Sequence, residues 1–212
     1  MQAGQRLVAR DGYQVCLYFM PYMYITQGEG GSTSHQGTYN IDYIGWSVSG
    51  RVYQAPIYAP CDVVCSYLDN SYGAGNMRVF SSRNPVHLAN GTLGYMCFEI
   101  GHDNNPIATT TGQTFSQGDL IGHTGTYGYV TGDHTHVSAA YGVFSGFDNT
   151  GPHQQLNNAG HQYDIFYVND TVLTDDGSYN WRTWTEPPIP PTPTDGKFPW
   201  YIYFRKRREL WK

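Results

Sequence analysis

Short runs rich in apolar, aromatic and β-branched residues recur along this chain, each closed by Gly, Asn, Asp or Pro. Successive side chains of a strand point to opposite faces, so runs of this kind predict β-strands rather than helices. They fall at Val15–Ile25, Ile41–Trp46, Gly50–Ile57, Asp62–Leu68, Met77–Ser81, Gly94–Ile100, Leu120–His123 and His134–Ala140. A Gly/Ser/Thr loop at Gln27–Ser34 follows the first run. No segment carries a persuasive 3.6-residue apolar period beyond a turn near Leu156–Gly160. The pattern predicts a mostly β protein, an antiparallel sheet or sandwich with long loops, whose compact part ends with Asp164–Val168.

Composition supports that class. The 212 residues are only 14% charged but 16% aromatic, with 19 Tyr and 25 Gly. Helix formers are few, and the chain is long enough to bury a core without disulfides. Cys16, Cys61, Cys65 and Cys97 follow no zinc-knuckle spacing. Cys61 and Cys65 share one strand-like run and are too far apart to bond easily, so we expect buried free thiols.

Charge divides the chain in two. Lys197, Arg205, Lys206, Arg207, Arg208 and Lys212 are half of the twelve basic residues. Residues 1–195 hold six Arg against sixteen acids, a net of 6 − 16 = −10, which argues against nucleic-acid binding. We therefore expect one domain over residues 1–184, with its motifs in about 22–145. A stiff Pro-rich linker at 185–196 and an aromatic, then basic, tail at 197–212 follow it. The tail suits docking on the body or on a partner, with a membrane-surface or polyanion anchor as the sharper alternative. No secretory signal is expected, because the run after Arg6 and Arg10 is interrupted by Pro21 and lacks a cleavage site. No apolar stretch approaches the roughly 20 residues of a membrane span.

The strongest chemical signal is Gly132-Asp133-His134-Thr135-His136. Residues i and i+2 of a strand share a face, so the two imidazoles enter one space, as a zinc ligand beside another ligand or a catalytic base. A hydrolytic zinc needs three protein ligands and one open position. His35, in a loop, and Asp42, entering a strand, offer a further imidazole and a carboxylate, and His102 follows the run Tyr95–Ile100.

Several ordered motifs together resemble the zinc endopeptidases of bacterial cell walls typified by lysostaphin and LytM, over roughly residues 22–145. His35-Gln36-Gly37 with Asp42 is similar to the family's first ligand pair, and Tyr58-Ala59-Pro60-Cys61-Asp62-Val63-Val64 to its "yAPadGkV" strand. Gly101-His102-Asp103 sits where the family has a histidine after a strand. Gln117-Gly118-Asp119-Leu120-Ile121-Gly122-His123-Thr124-Gly125 resembles "kkGqxIGxsG", and Thr131–His136 resembles "tGpHxHf". The resemblance implies His35, Asp42 and His136 as zinc ligands. It implies His102 and His134 as catalytic histidines that orient or deprotonate the attacking water and stabilise the tetrahedral intermediate. It also implies a mostly antiparallel β fold with the metal in a groove between loops, and peptidoglycan stem or cross-bridge peptides as substrate. Three departures stand out. The six-residue gap from His35 to Asp42 exceeds the usual three, so the loop should bulge outward; Asp133 replaces Pro; and no acid follows at Ser138–Ala140. Asn149–Asn169 and the Pro-rich tail resemble bacteriophage versions more weakly.

The expected function is a phage-encoded zinc metalloendopeptidase, made in the host cytoplasm and acting on the wall at lysis or from the virion, with residues 197–212 as a possible assembly contact. The alternative is a non-catalytic wall-binding or tail-structural module that keeps the fold. With four Glu, none in an obvious helix-borne acid position, a two-carboxylate glycosidase is a poor reading, and H-E-x-x-H is absent. His123 is read as structural; His87, His153 and His161 are expected at the surface. Tyr22 or Tyr24 is a candidate for lending a phenol to the intermediate.

Overall fold

Nine strands hydrogen-bond into one sheet in the computed structural model, which describes residues 1–151 and 153–188. They are β1 (Tyr22–Gln27), β2 (Ile41–Ser47), β3 (Gly50–Val52), β4 (Val63–Asp69), β5 (Met77–Ser82), β6 (Met96–Ile100), β7 (Thr114–Phe115), β8 (Thr135–Tyr141) and β9 (Val172–Thr174). Their spatial order is β7-β4-β5-β6-β8-β2-β1-β9, with β3 on β2. Two- and three-stranded ribbons at Gln14–Val15/Val86–His87/Leu93–Gly94, Pro56–Tyr58/Leu120–His123 and Phe147–Asp148/Gln155–Leu156 surround the sheet. One four-residue helix, Gln162–Ile165, is described. The protein is thus mostly β, and no described helix is long and apolar enough to cross a membrane.

The alternation of the central strands separates two faces. Ile41, Tyr43, Phe80, Phe98, Ile100, Val137 and Ala139 enter the main core, where Phe98 stacks on Phe19 with centroids 5.7 Å apart. Val79, Cys97 and Ala140 face the other way, under a smaller apolar cluster with Leu156. Asp42, Glu99 and His136 belong by parity to this second face, which is where a polar site can be built without breaching the main core.

Several expected elements are altered by backbone hydrogen bonding. The run Val15–Ile25 is two strands, not one. Between them Leu17 N donates to Pro60 O and Tyr18 N to Tyr167 O, so this core-filling stretch pairs only through an isolated parallel bridge of Leu17 with Tyr167, and Pro21 brings no donor. Gly50–Ile57 breaks at Gln54, which takes a φ of 49°. Leu93–Gly94 pairs with Val86–His87 instead of extending β6. The compact part does not end at Val168: β9 pairs with β1, in parallel, and Trp184 packs edge-on against Tyr167 at 5.3 Å. All four cysteines are free and buried. The linker beyond residue 188 and the tail at 197–212 lie outside the described residues.

Phe98→Ala should cost about 3–5 kcal/mol of unfolding free energy. The check is the urea midpoint at unchanged slope; a loss below about 1 kcal/mol would mean that this face is not the main core.

Candidate metal centre

The pairing of β2 with β8 places Asp42 directly opposite His136. Opposed side chains on one face of an antiparallel pair come close enough to touch, and Asp42 Oδ1 lies 3.0 Å from His136 Nδ1. His35 arrives from the loop before β2. Its Nε2 is 3.3 Å from Asp42 Oδ1 and 3.2 Å from His136 Nδ1. One potential ligand atom from each of these three residues falls within 4.8 Å of the others, close enough for one metal ion to touch all three. The loop does not bulge outward, as its length suggested. Thr38 N and Oγ1 both donate to His35 O, and the buried Asn40 donates through Nδ2 to Gln154 O, folding the extra residues inward. Gly37 and Tyr39 are the exposed residues of this segment, Tyr39 lying edge-on against His161.

The second nitrogen of His35 meets a backbone carbonyl, and that of His136 faces a buried carboxyl. His35, fully buried, faces Gly28 O with Nδ1 at 3.2 Å, which makes Nδ1 the protonated nitrogen and leaves a lone pair on Nε2. His136 Nε2 faces Glu99 Oε1 at 3.7 Å, leaving Nδ1 for the cluster. Burial works to raise the Asp42 carboxyl, but hydrogen bonds and charge attraction from His136 and His35 outweigh it and hold the group well below the usual carboxylate range.

His102 and His134 stand beside the cluster with ring centroids 4.6 Å apart. His102 Nδ1 donates to Tyr127 O at 2.8 Å and His134 Nδ1 to Gly132 O at 2.9 Å, so both present an unprotonated Nε2. That of His134 is 3.8 Å from Asp42 Oδ1. His134 lies one residue before β8 but is clamped by reciprocal backbone bonds with Gly125. A Cβ at Gly125 would come within 2.2 Å of His102 O, so this glycine is required for the two histidine segments to meet. His102 itself has a φ of 74°, a conformation that a non-glycine residue holds only when its surroundings enforce it. Burial lowers its pKa to about 4, against a smaller opposing effect of the Tyr127 carbonyl.

Asp133, the residue in place of Pro, is a structural clamp. Its carboxylate accepts from Thr124 Oγ1 at 2.7 Å and Gln54 N at 3.1 Å, and its carbonyl accepts from Arg51 Nη2 at 2.8 Å. His123 touches Asp103, which accepts from the His123 backbone, away from the cluster. His87, His153 and His161 are half-buried rather than exposed; His87 faces Asp11 and His161 faces Glu29. Neither Tyr22 nor Tyr24 lines the space around the cluster, and Tyr24 packs on Trp46. Glu99 is the residue that sequence reasoning passed over. It is 2% exposed, and burial pushes its carboxyl up to about 8. Its signal was a lone acid inside the apolar run Met96–Ile100.

Two cavities, of about 510 and 260 Å³, meet at Ser34, His102 and His136. Arg51, Tyr129 and Thr131 line the larger; Met77, Glu99 and Gln154 line the smaller. Together they form a groove with the His/Asp/His cluster at its middle.

No family profile matches the chain. Over 175 residues it is 33% identical to Morphogenesis protein 1 of Bacillus phage B103, covering 81% of this chain and 45% of that protein. The chain thus spans about half the length of this curated relative. Among solved structures, it is similar to a zinc-containing peptidase from Vibrio cholerae, with a TM-score of 0.42 and 19% identity over 64% of this chain and 43% of the other. It is also similar to the catalytic domain of lysostaphin from Staphylococcus simulans, with a TM-score of 0.40 and 22% identity over 60% and 84%.

An imidazole whose pKa falls on folding binds its proton more readily in the unfolded chain. Metal-free protein should therefore lose stability as the pH drops from about 6.5 towards 4, and this contribution should level off below that window. His102→Gln should flatten that part of the curve. Urea unfolding in chelator at several pH values checks it, and an unchanged slope would place His102 in solvent.

Proposed function

We propose that the protein is a zinc metalloendopeptidase that hydrolyses peptide bonds of peptidoglycan. The observation that carries the proposal is the convergence of His35, Asp42 and His136 beside two further imidazoles with free Nε2 atoms at the centre of a two-armed groove. Two neutral imidazoles and one carboxylate are a fitting set for zinc, leaving a position open and the ion net positive. A zinc ion held there supplies Lewis acidity toward the attacking water and the substrate carbonyl.

The chain's own residues supply the rest. An extended peptide lies along the groove with one end over Arg51 and Tyr129 and the other over Met77 and Gln154. Because His102 and His134 both spend their Nδ1–H on backbone carbonyls, each can accept a proton at Nε2. One takes the proton of the attacking water, and the resulting imidazolium returns it to the departing amine. The low pKa of His102 keeps it an acceptor at neutral pH and makes its protonated form a strong donor. Peptidoglycan as the substrate rests on the ordered motifs shared with the lysostaphin and LytM type. The likeness to a phage morphogenesis protein favours action as part of a phage particle's encounter with the wall.

That same likeness also favours a second reading, a structural module of the particle without activity. Purified walls separate the two. The full chain should clear them with release of new amino groups, chelator should stop it, and zinc should restore it. His134→Ala should reduce the rate by about 10²–10⁴-fold while zinc stays bound. Walls left intact by a zinc-loaded parent, across several cross-bridge types, would support the structural module.

The basic tail generates a separate expectation. Removing residues 187–212 should leave cleavage of small wall peptides unchanged and reduce clearing of whole walls or particle-borne activity. Equal loss of both would show that these residues serve the peptidase itself.

A further inference from the structure

Among the described residues Glu99 is the most deeply buried acid, at 2% exposure. It lies on β6 directly opposite Ser138 of β8, which makes His136 its diagonal neighbour on the same face. Such diagonal pairs are about 7–8 Å apart at the backbone, within reach of a long side chain and an imidazole. Glu99 Oε1 accordingly comes to 3.7 Å from His136 Nε2, while Oε2 has no hydrogen-bond partner and no contact with solvent. Placing a carboxyl so deep with one oxygen unpaired is costly and does nothing for the packing of an apolar strand.

What His136 needs explains the placement. Its Nδ1 points at His35 Nε2 and Asp42 Oδ1, so a metal at the cluster takes the Nδ1 lone pair and the ring's proton must sit on Nε2. Among the described residues Nε2 has no hydrogen-bonded partner, and Glu99 is the carboxyl beside it. The remaining 3.7 Å is longer than a hydrogen bond and closes with a small movement of either side chain. The three other histidines of the site, His35, His102 and His134, present Nε2 and are fixed through Nδ1 by backbone carbonyls. His136 uses the opposite nitrogen for the metal and turns its remaining one away from any loop carbonyl, toward the floor of the sheet.

We propose that Glu99 is a positioning residue for His136, accepting its Nε2–H and thereby fixing the tautomer and ring orientation that present Nδ1 to the metal. The assignment rests on the metal-centre reading above. It adds a fourth residue, from a third strand, to a centre otherwise built on β2, β8 and one loop. Outer partners of this kind sustain metal affinity by keeping the ligand oriented and basic.

The test is zinc affinity of the full chain, by competition with a chromophoric chelator, alongside thermal unfolding of the zinc-free proteins. Glu99→Leu should bind zinc about 10–100-fold more weakly. Its zinc-free melting temperature should hold or rise, because an unpaired buried carboxyl has been replaced by an apolar group. Glu99→Gln, which keeps an acceptor oxygen, should bind more tightly than Glu99→Leu. A folded Glu99→Leu protein that binds zinc as tightly as the parent would overturn this assignment and leave the metallopeptidase standing. A melting temperature that falls in step with zinc affinity would also overturn it, by making Glu99 a folding residue. A parent that binds no zinc would remove the metal centre itself, and this assignment with it.

Discussion

One cross-strand pair underlies the site: Asp42 on β2 facing His136 on β8. Side-chain parity along a strand is fixed at two, so the register that packs Ile41, Tyr43, Val137 and Ala139 into the main core necessarily turns Asp42 and His136 to the opposite face. A slip of one residue would bury the carboxylate among phenylalanines and expose the core. The hydrophobic requirement of one face thus enforces the chemical arrangement of the other. His35, the histidine pair 102/134 and Glu99 are then placed relative to this fixed pair, through loop turns in the first two cases and through the β6–β8 register in the third.

Much of this was legible in the chain. The central strands follow from their alternation, and Leu120–His123 matches its expected run. The five candidate residues stand in local patterns that survive without long-range information. What was not legible depends on contacts distant in sequence. The run Val15–Ile25 is apolar enough for one strand, yet Leu17 and Tyr18 find hydrogen-bond partners at Pro60 and Tyr167, which no local reading can supply. The fold past Val168 depends on β9 lying parallel to β1, about 150 residues earlier in the chain. Glu99 was overlooked because an acid in an apolar strand gains its meaning only from the neighbour across the ladder. Asp133, read as a deviation, turns out to hold Thr124, Gln54 and Arg51 around the start of β8.

The energetics of the site run against stability at several points. His102 occupies a left-handed backbone conformation, its imidazole is held neutral by burial, and Glu99 carries an oxygen without a partner. Each of these is a local cost of order 1–3 kcal/mol in a fold whose net stability is typically about 5–15 kcal/mol. Costs of this kind concentrate where function requires them, because nothing in packing alone would retain them. The compensation is visible nearby, in the main aromatic core of Phe19, Phe80, Phe98 and Phe166.

The distribution of those costs bears on whether the molecule is a catalyst or a scaffold. A scaffold that merely kept a metal would need His35, Asp42 and His136 with their outer partners, and nothing more. His102 and His134 lie outside the three-residue cluster. Among the described residues their Nε2 atoms have no hydrogen-bond partner, that of His134 standing 3.8 Å from Asp42 Oδ1, and holding His102 in place demands a glycine at 125 and a left-handed backbone at its own position. Under the proposed function, two acceptor nitrogens beside the cluster are what proton transfer to and from a substrate requires. On the proposed reading, the left-handed backbone of His102 is the local cost of bringing its imidazole against that of His134, with ring centroids 4.6 Å apart.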